Sequence, residues 1–491
     1  MNIIAFVSQM KKKIYYFPVL LVITWSCIEK DVYEGDSQHP EDDFYGYLYP
    51  YGNEAHDIVA EIALLLTEAP KADQIITEIP VLKYNKSWLF LLTQDDCTHS
   101  AYSTTWAAMN GKPLSNNYYY GAEQLAAVDL PPDYFTLNKT LGSTDGTGKE
   151  IRFAFTTTLA PEMEWMENEP PVNIGFSRNY YRFYMMSGLT WNNVAEMLAY
   201  DAGIAFHDLN TNSVNNKDSL LKHFDIAQKI SIEKLSGRGL KVLAEPNGNH
   251  NYLLAGKDYP SIRIMTAQNT KSGGPVVEPH FPYRVESDLE KAVLQRTFYN
   301  NTFEITARIE NELKKNKEER EAIHVGIHGT NVTFAQFLLW LNNSYGKDGD
   351  DSVWVPSFEE YYEYNYYRVN STIEKEINGD TLKLRITLPS EQYFYYPSVT
   401  VNLSGITLDQ ISRVISNDAV TGLSYASYNG GVMLNIDCRR FLFEHALHFV
   451  EKYLKSSIAW DKDDAIYFVE RLKESPKKDE LRKRIPGYTN K

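Results

Sequence analysis

The chain has 491 residues and carries 49 Lys and Arg against 64 Asp and Glu, a net charge of −15. An acidic surface repels polyanions, and with no basic stripe in the sequence this argues against nucleic acid as a partner. The length allows two or three domains with full-sized cores, and the 35 Tyr, 22 Phe and 8 Trp are side chains that either fill cores or stack on sugar rings.

Near the start, Lys11, Lys12 and Lys13 precede an apolar stretch over 14–23 that Pro18 interrupts, and Ser26 then stands before Cys27. The stretch is shorter than the roughly 20 residues of a spanning helix, so 1–27 reads as a signal peptide. A small residue before a cysteine resembles the box cut by lipoprotein signal peptidase, which implies a lipid on Cys27 and a membrane anchor. The acidic residues behind it (Glu29, Asp31, Glu34) resemble those of surface lipoproteins of Bacteroides-type bacteria. That likeness implies a place on the outer membrane or cell surface, with the periplasmic face as the other option. Residues 28–51 are acidic, lack apolar periodicity and read as a tether. Cys97 and Cys438 fall in different predicted domains, which favours two buried thiols over one disulfide.

The first folded element is a predicted helix, from the spacing of Ile58, Ile62, Leu65 and Leu66. The apolar run 88–92 reads as a buried strand ending at Asp95 and Asp96, and further strand-like runs lie at 152–159, 203–206, 240–244, 262–266 and 324–327. Segments with helical spacing separate them, among them Val194, Met197 and Leu198, then 224–235, then Phe334, Phe337, Leu338 and Leu341. Strands alternating with helices predict an α/β body over 52–367 with a parallel sheet, open or closed into a barrel. Trp354, Glu359 and Glu360 follow the last helix of that body, where they could seal it against the next domain. From 368 to 437 the period is two, with Asn378-Gly379 and Asn429-Gly430 as hairpin turns, which predicts a small β-sandwich. Helices close the chain over 438–491.

Polar residues cluster where α/β folds carry their sites, at the C-terminal ends of the predicted strands. Asp95 and Asp96 follow the first strand, His207 the third, Pro246, Asn247 and His250 the fourth, and His328 the last. Their order resembles the polysaccharide deacetylases of NodB homology, a distorted (β/α) barrel. Thr93-Gln94-Asp95-Asp96 is similar to the opening T-F-D-D motif, and Gly203 to Asp208 to a strand that delivers two histidines four apart. Leu243 to Gly248 is similar to R-x-P-Y-G, with Ala244 and Asn247 in place of Arg and Tyr. Val325 to Thr330 is similar to the closing strand with its histidine.

The resemblance implies Asp95 as catalytic base, His328 as general acid, and Asp96 and His207 as ligands of a divalent metal of the zinc, cobalt or nickel type. Pro246, Asn247 and His250 would be substrate-binding residues, and the substrate an acylated oligo- or polysaccharide. Such a metal leaves positions open for a water and a carbonyl oxygen. The second motif's other histidine is Thr211 here, so Asn210, Asn212, His99 or His250 would have to substitute. The expected function is a metal-dependent glycan deacetylase at the cell envelope; the alternative is a non-catalytic glycan-binding lipoprotein that keeps the barrel. The chain has neither a G-x-S-x-G elbow nor a phosphate loop, and Glu444-His445-Ala446-Leu447-His448 is not H-E-x-x-H, so its histidines are expected to pack.

Overall fold

The computed structural model describes residue 48 and residues 55–173, 180–184, 188–210 and 214–489. Cys27, the signal segment, the tether apart from Leu48, and Thr211 and Asn212 lie outside the described residues.

Every position of the strand Trp88–Gln94 is buried, because both of its faces are covered. Trp88, Phe90 and Leu92 join the outer cluster with the helices, whereas Leu89 and Leu91 join an inner cluster with Ala205, Val242, Ala244 and Ile264 of the neighbouring strands. A period of two on a doubly covered strand produces this continuous apolar run. All pairings in the main sheet are parallel, in the order 293–295, 264–267, 242–244, 203–206, 156–158, 88–94, 323–327, 297–298. Val293–Gln295 lies at one edge and Thr297–Phe298 at the other, with only Arg296 between them. One extended segment therefore pairs with strands at both edges, and the sheet is a nearly closed barrel. This segment is absent from the sequence reading, since two and three residues are too short to show a period.

Residues 56–66, expected as a helix opening the α/β body, are a strand, His56–Leu66, with Ala60, Ile62, Leu64 and Leu66 buried in alternation. The spacing of Ile58, Ile62 and Leu66 fits either period, and the choice is made by partners more than 300 residues away: the strand lies antiparallel between Thr381–Ser390 and Ile411–Ser416. Ile76–Glu78 likewise pairs with Ser398–Ser404. The N-terminal part of 52–367 thus supplies strands to the two four-stranded antiparallel sheets that otherwise come from 368–437. At the Asn429-Gly430 turn both residues have positive φ, 47° and 76°, as a two-residue hairpin of type I′ requires.

The helix Phe358–Asn370, capped by the Ser357 side chain on the Glu360 N–H, joins barrel and sheets. Its Phe358, Tyr361, Tyr362, Tyr364 and Tyr367 lie in one cluster with Trp354, the barrel's inner residues and the apolar faces of both antiparallel sheets. This is the seal expected around Trp354 and Glu359. Helices Leu442–Ser456, Ala459–Arg471 and Pro476–Arg484 close the chain. The second presents buried Asp464 to Lys112 and, at 2.5 Å, to Arg152. His445 packs edge-on against Phe468, and Cys97 and Cys438 are free and buried. Among the described residues no helix is long and apolar enough to cross a membrane.

Candidate active site at the strand ends

Because the barrel strands are parallel, the residues that follow them collect at one rim. Asp95 continues the first strand, its N–H donating to Ile327 O at 2.8 Å, and its side chain keeps the inward phase of Leu89, Leu91 and Thr93. Asp96 and Cys97 then take φ of 63° and 50°. Left-handed backbone is tolerable for Asp but costs Cys on the order of 1–3 kcal/mol. Bonds from Leu189 N–H to Cys97 O at 2.9 Å and from Cys97 N–H to Thr158 Oγ1 at 3.3 Å hold the turn. Asp96 thereby leaves the strand's phase and stands across the mouth of the barrel.

Three of the predicted residues meet there. His207 Nε2 lies 3.4 Å from Asp96 Oδ1, and His328 Nε2 lies 3.9 Å from Asp96 Oδ2. His207 Nδ1 is 2.9 Å from the Ala244 carbonyl; a carbonyl only accepts, so Nδ1 carries a proton, and Nε2 faces the rim, as a lone pair in the neutral ring and as a donor toward Asp96 in the protonated one. Burial pushes the His207 imidazole down, but the charge of Asp95 and the bond to Asp96 outweigh it and the net shift is upward. The bond to His207 in turn holds the Asp96 carboxyl below its ordinary range. His328 is exposed, its ring tilted over Phe298 at 4.9 Å.

Asp95 is bound from a direction the sequence reading missed. Arg296, buried between the two edge pairings that close the barrel, donates from Nη1 to Asp95 Oδ1 at 2.6 Å and from Nη2 to Glu245 O at 2.8 Å. A buried carboxylate needs such a partner. No motif marks Arg296, and only the closed barrel brings it to the site.

The cleft beside this group has a volume of about 280 Å³ and is lined by Asp96, His207, Trp165, Pro246, Asn247 and Tyr252, among others. Asp208 accepts from the Tyr252 hydroxyl, which fixes the loop carrying His207. Pro246 and Asn247 therefore stand at the cleft. His250 does not line it: nine-tenths buried, it hydrogen-bonds to Glu245 through Nδ1. Burial raises the Glu245 carboxyl, although His250 opposes this. His99 is also turned away, both ring nitrogens facing backbone carbonyls, Tyr120 O at 2.8 Å and Gly188 O at 3.2 Å, and burial holds its pKa down to about 4. Asn210 donates to Glu162 at 3.1 Å. His250 and His99 are therefore not arranged as a substitute for the missing histidine, whereas Asn210 lines the cleft with Asp96 and His207.

Two ligands of one tetrahedral zinc, each about 2.1 Å from the metal, stand about 3.4 Å apart. The Asp96–His207 separation of 3.4 Å fits that spacing and is long for a direct hydrogen bond. Among the described residues no group of three or more His, Cys, Asp or Glu is arranged to hold a metal ion. The donor set that fits is this pair.

A comparison with curated proteins finds no match. A family model described as "Putative polysaccharide deacetylase" matches residues 60–486. That span takes in the barrel, all three C-terminal helices and both antiparallel sheets except the first four residues of the strand His56–Leu66. The chain is a member of this polysaccharide deacetylase family.

Proposed function

We propose that the protein is a hydrolase that removes acyl groups from a glycan at the cell envelope, anchored there by a lipid on Cys27. The observation that carries the catalytic part is the meeting of Asp95, Asp96, His207 and His328 at the rim of a cleft, from three strand ends that together span more than 200 residues of sequence.

Asp96 and His207 would hold a divalent metal, which when bound polarises the acyl carbonyl and acidifies a water. The remaining roles belong to the protein. Asp95, one oxygen tied to Arg296, keeps its second oxygen to take the proton of the attacking water. Arg296 compensates its charge and fixes its direction. His328, exposed on the opposite side of Asp96, can give a proton to the departing sugar oxygen or nitrogen. Trp165, Pro246 and Asn247 line the space for the acylated sugar. Two side-chain donors make a weaker metal site than three, so the metal should exchange readily.

The test is acetate release from O-acetylated xylan and from N-acetylated chitooligosaccharides after chelation and re-addition of zinc, cobalt or nickel. Release that stops on chelation and returns with one of the metals supports the proposal. Chelator-insensitive release removes the metal from it, and glycan binding without release under any condition favours the non-catalytic alternative.

A further inference from the structure

A cleft of about 280 Å³ lies at the small end of ligand pockets, which run from roughly 300 to 1,000 Å³. A polysaccharide cannot be contained in it and must cross the neighbouring surface. On that surface stands an unusual group of rings. Tyr181 is 78% exposed, Tyr184 60%, Tyr119 39% and Tyr180 37%. Tyr118 sits among them, 5.0 Å from Tyr184 and 6.2 Å from Tyr180, and Tyr181 is 6.4 Å from Tyr184.

The group is built on fixed supports. Within 180–184 the intervening Arg182 and Phe183 point inward: Arg182 is buried against Asp129, with Nε to Oδ2 at 2.7 Å, and Phe183 is fully buried. Tyr119 N–H donates to Phe183 O at 3.0 Å, which joins the two segments. The anchored pair Arg182 and Phe183 between outward tyrosines leaves the rings presented rather than collapsed. Contiguous exposed rings of this kind mark an interaction surface, and a tyrosine offers an apolar face with a hydroxyl at its edge, suited to a sugar ring.

A path of packed residues links the patch to the cleft. Trp165 lines the cleft, and its indole lies against Gly188, where an added Cβ would come within 2.1 Å of Nε1. The Gly188 carbonyl faces His99 at 3.2 Å, and His99 meets Tyr119 edge-on at 5.7 Å. The 180–184 segment also lies on the connection between the strand Thr156–Thr158 and the helix Trp191–Ala199, which leaves the barrel at the rim that carries the site.

We propose that Tyr118, Tyr181 and Tyr184 form an aromatic platform that binds the part of the glycan chain extending out of the cleft, so that the protein selects polymers over short fragments. The proposal rests on the glycan reading of the cleft. Calorimetric titration with two-sugar and six-sugar N-acetylated chitooligosaccharides, and with acetylated xylan oligomers of the same two lengths, tests it. The wild-type protein should bind the longer member of one pair at least tenfold more tightly. Tyr181→Ala and Tyr184→Ala should each remove most of that preference, roughly tenfold being the scale of one aromatic contact. Tyr425→Ala, a 41% exposed tyrosine of the antiparallel sheets, should leave it intact. A preference that survives both platform substitutions, or a wild-type protein with no preference in either pair, overturns the platform. A preference that behaves as expected in a protein that releases no acetate leaves the platform standing and refutes the deacetylase reading instead.

Discussion

The two ends of the barrel use charge in opposite ways. At the end away from the cleft, Arg238, Lys241, Glu359 and Glu363 are all essentially without solvent contact. Glu359 takes Arg238 at 2.6 Å, Lys241 at 3.1 Å and the Ile204 N–H at 2.9 Å. Glu363 takes Lys241 at 2.8 Å and the N–H groups of Tyr395 and Tyr396. At the cleft end, Asp96 and His328 are more than half exposed and their polar contacts are long, 3.4 and 3.9 Å. Protonation is perturbed at both ends: burial pushes the Glu363 carboxyl up, as the neighbours of His207 push its imidazole up. A shifted pKa therefore does not by itself find the site. The candidate site is the end where charged groups stay open to a ligand, and the opposite end is where they are consumed in joining the barrel to the antiparallel sheets.

The sharpest way to break this contrast is at the closed end. Glu359→Ala takes the carboxylate from buried Arg238 and leaves Lys241 with Glu363 as its one carboxylate, and removing one member of such a group costs about 3–5 kcal/mol. Urea denaturation should show a loss of that size; a loss below about 1 kcal/mol would mean the network is not what couples the two parts.

At the open end the expected effects are on rate. Asp95→Asn keeps a partner for Arg296 but removes the proposed base, and His328→Ala removes the proposed acid; each should lower turnover roughly 10²- to 10⁴-fold while bound metal is retained. Loss of metal in either variant, read by elemental analysis, would move that residue from proton transfer to metal binding.

A smaller effect separates the ends by pH. His207 has a raised pKa in the folded metal-free protein, so its contribution to stability is full below the ordinary imidazole value of about 6.5 and disappears as pH rises through the folded value. Asp96, with a lowered pKa, contributes above the ordinary carboxyl value of about 3.9 and loses that contribution as pH falls through its folded value. The metal-free pair should thus stabilise most between roughly pH 4 and 6.5. Asp96→Asn should flatten the stability profile in that window, and an unaltered profile would show that the two side chains do not interact.

The same contrast explains what the sequence disclosed. Asp95, His207 and His328 each follow a buried strand with a largely apolar run, so alternation of strands and helices was enough to predict that they share a rim. Asp96 was legible beside Asp95, though its turn across the mouth depends on two successive positive φ values that no local pattern announces. Arg296 was invisible because its segment becomes a strand only by pairing with partners at both barrel edges. The strand His56–Leu66 was misread because Ile58, Ile62 and Leu66 also satisfy a helical period, and the sheet positions on either side of it are filled from beyond residue 380. The closed-end network was only half readable: Glu359 stood in a suggestive place, but Arg238 and Lys241 look like surface residues until the Phe358–Asn370 helix covers them.

The claim that the open end is the site is tested most directly by acetate release from acetylated xylan and chitooligosaccharides, comparing wild type with Asp96→Ala in the presence of zinc, cobalt or nickel. Asp96 is half exposed, so its loss should shift stability by no more than about 1 kcal/mol. The account predicts release by the wild type and none by the folded variant; equal release by both would place the chemistry elsewhere and contradict it.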